Sequence, residues 1–264
     1  MPRPFDKSRP KAFVPQRRER HADEVIRLFG IHAVEAALAN ENRSINKIHA
    51  TENAENRLAV AIAKRSVAVQ RVTPRDLDRM LGPDTVHQGI MLETDLLDEP
   101  DLDDIAESAA GGGGPVIILD QVTDPHNVGA VLRSAAVFGA AGVIMTRRNS
   151  PPLNGTLAKS ASGALEYVPV MLATNLARTL TELKDAGFTI LALDGEAETL
   201  LEDEPLNGPT ALVLGAEGKG LRQLTSSTSD RLVKIAAGGP IDSLNVSNAA
   251  AIALHLCAMR RRGK

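Results

Sequence analysis

Apolar residues follow two rhythms along this chain. Short unbroken runs, such as Val116-Ile117-Ile118-Leu119, Ala211-Leu212-Val213-Leu214 and Leu232-Val233-Lys234-Ile235-Ala236, alternate with longer stretches spaced as one face of a helix. Unbroken apolar runs read as strands covered on both faces. The pattern predicts strands at 115–120, 142–146, 188–194, 210–215 and 231–236, with helices at 127–139, 175–186 and 245–262. Strand and helix in alternation predict a mostly parallel α/β sheet.

Residues 29–97 carry a smaller α/β pattern. Helices are expected around 32–39, 55–65 and 74–81, and strands near 45–50, 68–72 and 89–93. The stretch from Glu93 to Glu107 holds eight acids and no Lys or Arg, and Gly111-Gly112-Gly113-Gly114 follows it. This reads as a solvated linker ending in a flexible joint. A phosphate cradle is excluded there, because such a loop must follow a strand and open a helix. The expected organisation is a flexible basic arm at 1–27, a small domain at 28–97, an acidic and glycine-rich linker at 98–114, and a larger domain at 115–264.

Three polar blocks stand at or near the ends of apolar runs: Asp124-Pro125-His126-Asn127-Val128-Gly129 leading to Arg133, Gly215-Ala216-Glu217-Gly218-Lys219-Gly220, and Ile241-Asp242-Ser243-Leu244-Asn245. Loops at the carboxyl ends of parallel strands build the ligand crevice, so the three blocks are expected to share one site.

Composition narrows the chemistry. Among 264 residues there is no Trp and one Tyr, which argues against aromatic platforms for stacking bases. A single cysteine, Cys257, excludes an intrachain disulfide and sits in an apolar helical pattern that points to core filling. No apolar run reaches membrane-spanning length and the N-terminus lacks a signal-peptide core, so a soluble cytoplasmic protein is expected. Net charge is −3, yet residues 1–20 hold seven basic side chains against two acidic ones, and the chain closes on Arg260-Arg261-Arg262-Gly263-Lys264. Such ends serve as phosphate contacts or as solvated tails.

The spacing around Lys219 is not that of a P-loop, and no Gly-x-Gly-x-x-Gly follows the first strand of the larger domain. The six histidines show no metal-binding pattern. His126 reads as a loop-ordering residue rather than a base. Arg133 lies among small and apolar neighbours on its helix and so requires an anionic or hydrogen-bonding partner, either Glu217 in an ion pair or a phosphate or alkoxide. Ser243 and Asn245 stand where a helix cap is needed, and capping explains only one of them.

On these residues the chain resembles the SpoU or TrmH family of S-adenosylmethionine-dependent RNA ribose 2'-O-methyltransferases, of the SPOUT superfamily. The three blocks match the family motifs in order over 115–262, and Asn154, Lys159, Ser160, Ser162, Gly163 and Ala164 fit its intermediate stretch. Phe29-Gly30 through His87-Gln88-Gly89 is similar to the family's L30e-like substrate-binding domain. The resemblance implies a C-terminal trefoil knot, catalytic positions at Asn127, Arg133, Glu217, Ser243 and Asn245, and donor-binding positions at Leu214, Gly215, Ala216, Gly218, Ile235 and Leu244. It implies a homodimer with the last helix at the interface, while the residue patterns above give no support for a metal or a membrane. The finer features are most similar to members that methylate a guanosine of 23S rRNA. Two alternatives stay open: a tRNA substrate, or a catalytically silent RNA-binding factor in ribosome assembly.

Overall fold

A computed structural model describes residues 25–240 and 243–262. The basic arm before residue 25, Ile241, Asp242, Gly263 and Lys264 lie outside the described residues.

The small unit contains β1 (Ile26–Phe29), α1 (Ile31–Ala39), β2 (Ile45–Ala50), α2 (Glu52–Arg57), α3 (Ala59–Arg65), β3 (Val69–Arg71), α4 (Pro74–Leu81) and β4 (Ile90–Thr94). Its sheet runs β1-β4-β2-β3; β4 is antiparallel to β1 and β2, while β2 and β3 are parallel. Two expectations need correction. Residues 26 and 27 belong to edge strand β1 rather than to the arm. The helix expected over 55–65 is two helices hinged at Leu58, whose backbone leaves helical geometry while its side chain is buried.

The expected linker is also corrected, because 102–110 fold as α5 (Leu102–Ala110). Asp101 and Asp104 form a reciprocal capping box, and acids in a first helical turn are favoured by the peptide dipoles. Beneath the charge lies a helical apolar face: Ile105 and Ala109 are buried in the same cluster as Ile118 and Ile144. Glu99 fastens the approach, accepting from the Arg147 guanidinium at 2.7 Å and from the Leu172 N–H at 2.8 Å.

The larger unit follows as β5 (Val116–Asp120), α6 (Pro125–Phe138), β6 (Gly142–Thr146), α7 (Gly155–Ser160), β7 (Val170–Ala173), α8 (Leu176–Asp185), β8 (Thr189–Leu193), β9 (Thr199–Leu200), β10 (Thr210–Gly215), α9 (Gln223–Thr228), β11 (Arg231–Lys234) and α10 (Val246–Arg262). Its seven strands are ordered β7-β6-β5-β10-β8-β11-β9 and every pairing is parallel. Alternate residues of β5 feed two cores. Ile117 and Leu119 join Val128, Leu132 and Leu254 of α6 and α10, while Val116 and Ile118 join Leu180 and Leu183 of α8. β5 and β10 are neighbours in space though far apart in sequence, so their exit loops open side by side at the carboxyl edge.

Candidate active site at the carboxyl edge of the sheet

The three polar blocks converge. Asp124 caps α6, its carboxylate accepting from the His126 N–H at 2.9 Å, and Pro125 supplies a first helical residue that needs no donor. This presents Asn127 at the mouth of the helix. The Asn127 Nδ2 donates to Glu217 Oε1 at 3.1 Å across 90 residues of sequence. Asn245 Nδ2 donates to Asn127 Oδ1 at 3.0 Å and also to Glu217 Oε1. The other end of the Asn245 amide caps α10, Oδ1 accepting from the Ser247 N–H at 2.8 Å and the Ser247 hydroxyl at 2.6 Å. One amide therefore starts a helix and ties three loops together.

Glu217 is held out by a tight hairpin. The Gly220 N–H donates to Ala216 O at 2.8 Å, and a side chain at Gly215 would strike the Gly220 backbone. Gly218 turns with φ of 73° into open space. Leu214 is buried, so only its backbone faces the loop; Ile235 is half-buried and Leu244 is 48% exposed. Ser243 is exposed and has no hydrogen-bond partner among the described residues.

Arg133 departs from expectation. Val128, Val131, Leu132 and Ala135 bury one side of α6, but Arg133 and Val137 are exposed on the other. The helix is not buried all round, and Arg133 forms no ion pair with Glu217 or with any other described residue. Its guanidinium is free in solvent two helical turns from the capped end. His126 fits its loop-ordering role, with Nδ1 3.1 Å from the Ser160 hydroxyl. Asn154 caps α7 through the Thr156 N–H at 3.1 Å, and the Lys159 ammonium lies 5.9 Å from the centre of the Phe29 ring.

An ion pair behind the site was not among the expected residues. Asp120 ends β5 with a fully buried carboxylate, which accepts from Arg222 Nε at 2.6 Å and from the Arg222 N–H at 3.1 Å. The signal was an acid closing an otherwise apolar strand, which demands a partner. This pair anchors the far end of the loop that carries Glu217. Arg222 also helps line a cavity of about 340 Å³ with Gln121, Thr146 and Asn175. Among the described residues no group of His, Cys, Asp and Glu could hold a metal ion, and no helix is long and apolar enough to cross a membrane. Burial pushes the Cys257 thiol up to about 11.

A parallel α/β sheet with polar loops joined by hydrogen bonds at its carboxyl edge is the arrangement of one class of ligand-binding α/β proteins. Comparison with known proteins specifies which one. Residues 114–255 match the model of the SpoU rRNA Methylase family, and residues 27–100 match that for RNA 2'-O ribose methyltransferase substrate binding. The chain is 41% identical over 240 residues to the 23S rRNA (guanosine-2'-O-)-methyltransferase RlmB of Ralstonia nicotianae, covering 89% of this chain and 95% of that one. It is 38% identical to the enzyme of the same name from Vibrio parahaemolyticus, covering 89% and 96%. Among solved structures, the SpoU methyltransferase AviRb from Streptomyces viridochromogenes superposes with a TM-score of 0.75 at 18% identity, over 90% of both chains. A putative RNA methyltransferase of the TrmH family from Porphyromonas gingivalis superposes at 0.70 with 25% identity, over 91% of this chain and 90% of that one. The chain belongs to the SpoU rRNA methylase family.

Proposed function

We propose that this protein transfers a methyl group from S-adenosylmethionine to the ribose 2'-hydroxyl of a guanosine in 23S rRNA. The observation that carries the reading is the Asn127–Glu217–Asn245 network, which gathers three distant loops at the carboxyl edge of the sheet. The relatives matched over nearly their full length carry that activity in their names.

The residues present suit the donor. The hairpin at 215–220 closes on itself with no side chain at Gly215, Gly218 or Gly220 to cover its backbone, and Ile235 is half-buried and Leu244 exposed. Leu214, Gly215, Ala216, Gly218, Ile235 and Leu244 would hold the donor, which supplies a methyl group on a positively charged sulfur when bound. Its methyl carbon would pass to the 2'-oxygen and the neutral thioether would leave, with the hydroxyl proton going to water. Alignment is the chief task, since the leaving group already carries its activation. Arg133, always protonated, is unsuited to accept that proton. It holds an RNA phosphate and stabilises the developing alkoxide. Asn127, Glu217, Ser243 and Asn245 hold the loops and the target nucleotide.

In the same reading the small unit, which begins at β1, grips RNA, and the basic arm before it adds phosphate contacts. The larger unit ends in a trefoil knot, and the enzyme acts in the cytoplasm as a homodimer. Exposed apolar side chains on both helices, Val137 on α6 and Ile252 and Met259 on α10, support the dimer. The test is incubation with methyl-labelled donor and separate 23S rRNA and tRNA pools, followed by mapping of the labelled ribose. Label at a guanosine ribose of 23S rRNA is the expected result. Label in tRNA alone overturns the substrate, and absence of donor binding favours the silent assembly factor.

A further inference from the structure

The small and large units meet across a charge cluster that the methyl-transfer site does not use. Glu166 ends a 3-10 turn (Ala164–Glu166) in the larger unit, and its side chain is 1% exposed. Arg43 of the small unit, 2% exposed, grips it with both arms: Nη2 donates to Oε1 at 2.6 Å and Nε to Oε2 at 3.1 Å. Asn40 Nδ2 donates to Oε2 at 2.8 Å, and Arg43 Nη1 donates to Asp95 O at 2.8 Å. The buried carboxylate thus receives three donors, and the guanidinium spends all three of its nitrogens.

Elsewhere along the same seam the packing is tight. A methyl group on Gly155 would strike the Arg27 carbonyl and the Phe29 ring, and one on Gly163, at φ of 88°, would strike Ala36 and the His32 carbonyl. The same segment reaches the candidate site. Ser160 packs against Gly129 and pairs with His126, both on the helix that carries Asn127 and Arg133.

A buried ion pair is an inefficient source of stability, because desolvating two charges offsets their attraction; what it fixes well is one geometry over others. We infer that the Arg43–Glu166 pair is a positioning device, which sets the reach between the RNA-gripping unit and the methyl-transfer pocket. The inference rests on the functional reading above, and it assigns Arg43 and Glu166 to substrate placement rather than to chemistry.

The test replaces both charges by apolar residues of similar volume, Arg43→Met with Glu166→Leu. Unfolding temperature, S-adenosylmethionine affinity, solution scattering, and kcat and KM on a 23S rRNA fragment are then measured. Expected are a folded protein, wild-type donor affinity, a broader scattering envelope, and a KM for RNA raised about tenfold or more with kcat at saturating RNA nearly kept. A wild-type KM in that folded variant overturns the inference and leaves the pair a structural contact. If the double variant does not fold, Glu166→Gln, which keeps shape and removes charge, is held to the same split between KM and kcat, and an unchanged KM again overturns it. Wild-type protein that methylates no RNA defeats the functional reading itself, and is recognised without any variant.

Discussion

Glu217 and Glu166 each collect side chains from distant segments, Glu217 from Asn127 and Asn245, Glu166 from Asn40 and Arg43. Glu166 is buried, and a guanidinium answers its charge. Glu217 is exposed and receives only amides. Where water is excluded, a carboxylate must be matched by an opposite charge. Where water reaches it, amides suffice to set its direction and leave its charge unspent. The first arrangement joins two units for good, while the second keeps three loops in register and still open to a ligand.

If that contrast is right, the largest functional loss comes from a residue at the open site that costs nothing to the fold. Arg133→Ala is expected to lower kcat/KM by about 10²–10³-fold, the usual cost of removing a donor that stabilises developing negative charge. Its thermal unfolding should match wild type, since Arg133 is exposed and unpartnered. Turnover near wild type would remove Arg133 from the mechanism.

Arg222→Ala sharpens the comparison from the other side, because it strands the buried Asp120 carboxylate behind the same loop. The expected loss of stability, read by denaturant titration, is near the lower end of about 3–5 kcal/mol. Arg222 is half exposed and its backbone N–H still serves Asp120, which keeps the cost from being larger. Gly129→Ala should cost about 1–3 kcal/mol by overpacking α6 against Ser160 and the Ala161 backbone.

The smallest effect concerns Cys257. With its thiol pushed up to about 11 by burial, the native protein should resist alkylation at pH 8 and react promptly once unfolded. The unfolded chain ionises first, near 9.0, so this group's contribution to stability is complete below pH 9 and declines as pH rises toward 11.

The sheet was legible because strands covered on both faces must be apolar through their interiors, and β5, β6, β8 and β10 are, with polar residues only at their ends. Helix α5 was missed because its acids were counted as solvation, although Leu102, Ile105, Ala106 and Ala109 keep helical spacing beneath them. β7 and α7 are short, and nothing local marks them out from loop. At the site, Asn127, Glu217 and Asn245 stood out as polar residues at strand ends. That they touch depends on strand order, which a single sequence does not display. Arg133 differs from its expected setting because neighbours in sequence are not neighbours on a helix: the large buried side chains near it, Val128, Val131 and Leu132, face away. Arg43 and Glu166, 123 positions apart, carry no motif at all.

The most direct measurement is methyl transfer to 23S rRNA by Asn127→Ala, Glu217→Ala, Asn245→Ala and the triple variant, each first confirmed as folded because Asn245 also caps α10 at about 1 kcal/mol. A single shared site predicts that each substitution alone costs nearly as much activity as all three together, as for residues that act as a unit. Losses that simply multiply, or a variant with wild-type transfer, would contradict it.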